Sequence, residues 1–300
     1  MEDGLRVRFW GTRGSMAAPF PDRMGYGGNT SCVSVEWDEG LAVFDGGTGI
    51  MALGRQIEDE IRKGVRDQGQ RLHVFVGHLH LDHVMGIPLF PCLFRQGAAV
   101  ELYGPGGKEH SFRQRLSAII GHPYWPVSVE QVPARLAWHE AEDGERWQLP
   151  GQVTVRVMRS RHPDGCVLYR LEKGSRSVVY GLDCELEEET GLFWGRYREF
   201  ARDCSVLIFD APYEEENYGR FRGFGHGFWQ QGIRMAEECG AECLCISHHD
   251  WGSSDSRLEI TEKEACRYGA ARGVKVLFAR ENAEVCTGSC KKGGYGGTGR

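Results

Sequence analysis

The sequence predicts an α/β fold with many strands in the middle and helices outside, and three observations carry that prediction. Short segments of strand composition end at glycine turns, in keeping with 42 glycines among 300 residues. Two segments carry apolar residues at helical spacing. Polar residues able to hold a metal ion recur at the C-terminal ends of the strand candidates.

The elements follow in order. LRVRFWG (5–11), TSCVSVEWD (30–38) and GLAVFDGG (40–47) have strand composition with a turn signal behind them. GIMALGRQIEDEIRKG (49–64) is a helix that stops at glycine. RLHVFVGH (71–78) is a strand, and the Pro- and Gly-containing stretch 104–126 is a surface insertion within one domain. Four more strands are VTVRVMRS (153–160), GCVLYRLE (165–172), RSVVYGLD (176–183) and SVLIFDAPY (205–213). WQQGIRMAEECG (229–240) is an amphipathic helix, followed by the strand ECLCISHH (242–249). Beyond VKVLFARE (274–281) the glycine-rich end is expected to be mobile, giving one domain over 1–285 and a tail over 286–300. The sequence shows neither a long linker nor an internal repeat.

With 41% hydrophobic and 26% charged residues, the composition is that of a soluble globular protein. The N-terminus has no apolar signal core and no apolar run is long enough to span a bilayer, so the expected location is the cytoplasm, away from membranes. Eleven cysteines without a framework spacing read as mostly reduced and buried thiols. The pairs Cys243/Cys245 and Cys286/Cys290 each lack the second pair of a structural zinc site. The formal charge of −6, with acidic runs at 184–190 and 213–217, weighs against a long polyanionic partner. A small anionic substrate is compatible with it, because a metal supplies local positive charge.

GHLHLDH places His78, His80, Asp82 and His83 at the end of one strand. His162, Asp183 and Asp210 end three others, and His248, His249 and Asp250 end a fifth. One rim of a sheet therefore gathers five or more donors. A lone histidine after a strand is usually hydrogen-bonded and structural. Four ionisable side chains packed between apolar segments are not, because desolvating them without partners is costly. Imidazole with carboxylate suits zinc, manganese or iron. Two ions need roughly six protein ligands and a bridging group.

HLHLDH resembles the signature of the metallo-β-lactamase fold, a four-layer αββα sandwich. RFWGTRGS, YGGNTSC, VFDGGTGI, FDAPYEEENYGRFRGFGHGFW and SHHD resemble a bacterial branch related to tRNase Z and to cyclic-nucleotide phosphodiesterases, over residues 5 to 280. The resemblance implies that His78, His80 and His162 hold one divalent ion. It implies that Asp82, His83 and a histidine of SHHD hold a second, with Asp183 bridging both. His248 is chosen over His249 because it directly follows CLCIS. Asp45 matches a position that supports the metal loop. His226 matches a histidine beside the scissile phosphate, where it stabilises the transition state or protonates the leaving oxygen. The family follows that histidine with Ser-Thr, whereas Gly227 and Phe228 stand here. Asp210 orients a ligand or His226, and His73, His110, His122 and His139 match no motif.

The activity so implied is phosphodiester hydrolysis by a metal-bridging hydroxide, with Asp82 and His226 as the catalytic side chains. Two zinc ions are expected, with manganese or iron as substitutes. A small cyclic nucleotide is the favoured substrate, because no protruding arm of the tRNA-maturing kind interrupts the stretch between Asp183 and Asp210. The same metal core also serves lactones, thioesters and β-lactams, and a binding or sensor module without turnover is the reading from another class. The resemblance also implies a homodimer.

Overall fold

The computed structural model describes residues 4–186 and 191–288. Its first half runs β1 (Leu5–Gly11), β2 (Cys32–Trp37), β3 (Gly40–Phe44), α1 (Ile50–Arg62), β4 (Leu72–Phe75), α2 (Leu81–Val84), β5 (Ala99–Gly104), α3 (Phe112–Ile119) and β6 (Arg135–Glu140). The second runs β7 (Arg146–Leu149), β8 (Val153–Arg159), β9 (Val167–Lys173), β10 (Arg176–Gly181) and α4 (Leu192–Ala201). It continues with β11 (Val206–Asp210), α5 (Trp229–Cys239), β12 (Leu244–Ser247), α6 (Asp255–Ala270), β13 (Val276–Phe278) and β14 (Glu284–Thr287).

Two seven-stranded sheets result, ordered β14-β1-β2-β3-β4-β5-β6 and β13-β12-β11-β10-β9-β8-β7. Each has antiparallel pairing over four strands and parallel pairing onward, from β3 in the first sheet and from β10 in the second. The topology therefore repeats although the sequence does not. Strand alternation sends Leu5, Val7 and Phe9 inward to meet Val155, Tyr169 and Ile208 of the other sheet. Leu53, Ile57, Phe112 and Leu116 cover the outer face of the first sheet, and Trp194, Tyr197, Ile233 and Leu258 cover that of the second. This is the αββα order that the resemblance implies.

Two expectations are corrected. The stretch 104–126 is no mere surface insertion: it holds α3, whose Phe112 and Leu116 are fully buried. Cys286 and Thr287, placed in the tail, are the last residues of β14 and pair with β1; residues 289–300 lie outside the described residues. The strands β5, β6, β7 and β14 and the helices α3, α4 and α6 were not foreseen. The described cysteines are free, and Cys243 and Cys245 both face the core between the sheets. Among the described residues no helix is long and apolar enough to cross a membrane.

The inner core is stapled at one point by aromatic stacking. Phe44 stacks on Phe75 at 5.4 Å and, across the layer, on Tyr180 at 5.2 Å. Phe44 and Phe75 are wholly buried. Phe44→Ala leaves a cavity that close-packed neighbours fill only in part, so it should cost about 3–5 kcal/mol. The check is a lower urea midpoint at unchanged slope.

Candidate metal centre

The parallel strands aim their C-terminal ends at one edge of the sandwich, and the loops leaving them carry the polar residues. β4 feeds the loop of His78 and His80, and the short α2 behind it presents Asp82 and His83. His162 follows β8, Asp183 follows β10, Asp210 ends β11 and His248 follows β12. Asp45, Asp183 and His248 all adopt left-handed backbone, at φ of 60°, 57° and 57°. Such a conformation costs a side-chain-bearing residue energy and turns its side chain sharply out of the strand direction.

Asp183 is the focus. Its Oδ2 lies 3.3 Å from His78 Nε2, 3.2 Å from His83 Nε2 and 3.6 Å from His162 Nε2. Its Oδ1 lies 3.1 Å from His248 Nε2. Asp82 Oδ2 sits 3.2 Å from the Nε2 atoms of both His83 and His248. His162 Nε2 is 3.2 Å from His80 Nδ1. Two donor sets hold the ligands expected from the sequence, His78, His80, His162 and Asp183 in one, Asp82, His83 and His248 in the other, each with donor atoms within 4.8 Å of one another. Asp183 lies against both, and with His248, Asp210 and His226 it forms a third set at the same spacing.

The donor chemistry fits divalent ions. His78 Nε2, His83 Nε2 and Asp183 Oδ1 are buried without a hydrogen-bond partner, a costly state for polar atoms that a bound cation would relieve. Burial drives His78 well below its ordinary pKa, so it is a neutral imidazole with a lone pair to give. Burial opposes charge on Asp183, yet His248 and His83 beside it hold its carboxyl well below the usual range.

A second set of contacts fixes these donors. Asp45 Oδ1 accepts from Gly77 N at 2.7 Å, and its Oδ2 meets His83 Nδ1 at 2.5 Å and the Tyr180 hydroxyl at 2.6 Å. Ser15 N donates to Asp82 Oδ2 at 2.7 Å. Gly14 runs so close to His248 that a Cβ would overlap the imidazole. Arg13, wholly buried, donates to the carbonyls of Arg23, Gly27, Asp250 and Ser253 and so anchors that loop. His162 Nδ1 donates to Gly225 O at 2.9 Å, while Ser160 Oγ donates to Asp183 O at 2.7 Å.

His226 stands at the rim. Its Nδ1 donates to Asp210 Oδ2 at 2.7 Å, and its ring lies 5.0 Å from that of His248 and 5.1 Å from that of His162. Burial opposes its charge, but the Asp210 hydrogen bond and nearby Asp183 raise its pKa to about 9.

Each residue expected at the site is thus in one place. His249 is not: its Nε2 donates to Ala279 O at 2.9 Å and its ring stacks on Phe278. Asp250 contributes its carbonyl to Arg13 rather than a carboxylate to the cluster. His73 pairs with the Tyr103 hydroxyl, His139 with Glu101, and His110 and His122 are exposed. The sequence reading missed Tyr180, a lone tyrosine in a strand, and the backbone donors of Ser15 and Gly77, which no side-chain pattern announces.

The family model for the β-lactamase superfamily domain matches residues 27–249. The chain belongs to this superfamily. Its fold is that of the metallo-β-lactamase proteins, and a crystal structure of one, YhfI from Bacillus subtilis, superposes with a TM-score of 0.69 at 18% identity, covering 95% of this chain and 100% of that one. Among curated proteins, Ribonuclease Z of Bacillus subtilis is 25% identical over 64% of this chain and 74% of its own. Ribonuclease Z of Haloarcula marismortui is 25% identical over 86% of this chain and 90% of its own.

Asp45 touches the donors and not the ions they would hold, and such supporting carboxylates are worth about 10–100-fold in metal affinity. Asp45→Ala is therefore expected to bind zinc that much more weakly in competition with a chelating dye, with the circular dichroism of the folded chain retained.

Proposed function

We propose that this chain is a metal-dependent hydrolase of phosphodiesters, with a small cyclic nucleotide as its substrate class. The observation that carries the bond type is the Asp210–His226 pair, set directly against the two donor sets. His78, His80 and His162 would hold one ion, Asp82, His83 and His248 the other, with Asp183 shared. Zinc suits these donors best, and manganese or iron(II) would be accepted as substitutes. Divalent ions held there polarise a phosphoryl oxygen and make water a nucleophile near neutral pH.

The chain's own residues supply the rest. Asp82, fixed by the Ser15 amide, accepts a proton as the attacking water closes on phosphorus. His226 holds Nδ1–H against Asp210, which directs Nε2 to the departing oxygen, where the imidazolium gives up its proton. Asp45 and Tyr180 keep His83 in one orientation throughout.

The relatives named Ribonuclease Z support a phosphodiester as the bond broken. A small substrate is favoured by the charge of −6 and by the described chain between Asp183 and Asp210, where α4 buries Trp194 and Tyr197 against the second sheet. The test is hydrolysis of 3′,5′-cyclic AMP by protein loaded separately with zinc and manganese. Turnover should vanish with a chelator, and His226→Ala should lower kcat by about 10²–10⁴-fold with a smaller change in KM. A metal-replete wild type inert toward cyclic AMP would discard that substrate, and full kcat in His226→Ala would remove the proposed acid.

A further inference from the structure

We propose that Tyr213, Phe221 and Phe224 form a stacking wall that takes the nucleobase of the substrate. This rests on the phosphodiesterase reading and names the part of the substrate that lies away from phosphorus.

A line of rings runs from the metal-donor cluster to solvent. His248 faces His226 at 5.0 Å, and His226 meets Tyr213 edge-on at 5.8 Å. Tyr213 then stacks on Phe221 at 4.3 Å with only 6° between the planes, and Phe221 meets Phe224 edge-on at 6.1 Å. Phe224 is 59% exposed. It also precedes Gly225, the residue whose carbonyl receives the proton of His162. The outermost ring is thus one peptide away from a group that positions a metal donor.

The segment bearing these rings is held in place. Glu185, two residues beyond Asp183, accepts from the Tyr218 hydroxyl at 2.8 Å, from Gly223 N at 2.8 and 2.9 Å, and from Gly225 N at 3.0 Å. These contacts to one carboxylate fix the backbone on both sides of Phe224. Holding an apolar ring in water forgoes the stabilisation of burial, and a flat partner brought to it restores that loss. A base offers a π-face whatever its identity, and aromatic platforms of this kind bind nucleotides by stacking. Arg220 and Arg222, both exposed, interleave with Phe221 and Phe224, which suits a ligand carrying phosphate beside an aromatic ring. An acyl chain would need neither the coplanar pair nor the arginines.

The test compares AMP with ribose 5-phosphate, which differ only in the base, by isothermal titration into metal-loaded protein. Wild type should bind AMP about tenfold or more tightly. In Phe224→Ala that preference should fall to about onefold, and Phe224→Trp should restore it. Phe224 is exposed, so its truncation leaves the fold intact. Equal binding of the two ligands by wild type, binding of neither, or a preference that survives Phe224→Ala would overturn the wall. Pentaadenylate binding far above AMP would place the base at an RNA end, and equal binding would place it on a free nucleotide; both uphold the wall. The underlying reading is judged separately with base-free ribose 3′,5′-cyclic phosphate. Its turnover as fast as cyclic AMP and with the same KM keeps the phosphodiesterase and overturns the wall. Inertness of both esters sinks the phosphodiesterase reading, while the titration still decides the wall.

Discussion

A carboxylate buried among four imidazoles is the constraint on which the site depends. Asp183 is 2% exposed, and the Nε2 atoms of His78, His83, His162 and His248 all lie within 3.6 Å of its oxygens. An isolated charge there would cost many kcal/mol, and protons on all the imidazoles would repel one another at these distances. Divalent cations answer both problems, because neutral imidazoles donate lone pairs and the carboxylate neutralises charge. Everything around the cluster serves to hold it open in that geometry. Asp45 reaches from the first sheet to His83 and receives the Tyr180 hydroxyl of the second, so the packing of the two sheets and the aim of a donor are a single arrangement.

The two-sheet topology explains why the donors converge. Each sheet turns from antiparallel to parallel pairing, at β3 in one and at β10 in the other, and Asp45 and Asp183 follow those two strands with nearly equal left-handed φ. The parallel strands beyond them leave their ends free for loops at one edge. Four of the eight left-handed residues that carry a side chain among the described residues lie there, Ser15, Asp45, Asp183 and His248, and the tight approach of Gly14 to His248 shows how little room is left.

Much of this was legible in the sequence, and for identifiable reasons. Strands announce themselves by alternation or by β-branched composition, and β1 and β8 lie within one residue of their expected bounds. HLHLDH was legible because desolvation makes such a cluster intolerable without ligands. α6 was not, since only Leu258, Ala265 and Gly269 of its sixteen residues are buried and no apolar stripe forms. α3 hides between glycines and prolines, and the edge strand β6 has no fully buried residue to set a period. Composition could not choose between His248 and His249; the order of CLCIS favoured the first, and the backbone reversal at φ 57° turns it toward Asp82 and Asp183. Contacts made by amide groups, as at Ser15 and Gly77, are invisible to any pattern of side chains.

The most direct test of this account is the number of divalent ions bound per chain, measured by mass spectrometry of the elements after dialysis against trace zinc, for wild type and Asp183→Ala. Two ions are expected in the wild type and a loss of at least one in the variant, with both proteins folded by circular dichroism. A folded wild type that takes up none, or a variant that keeps both, would contradict it.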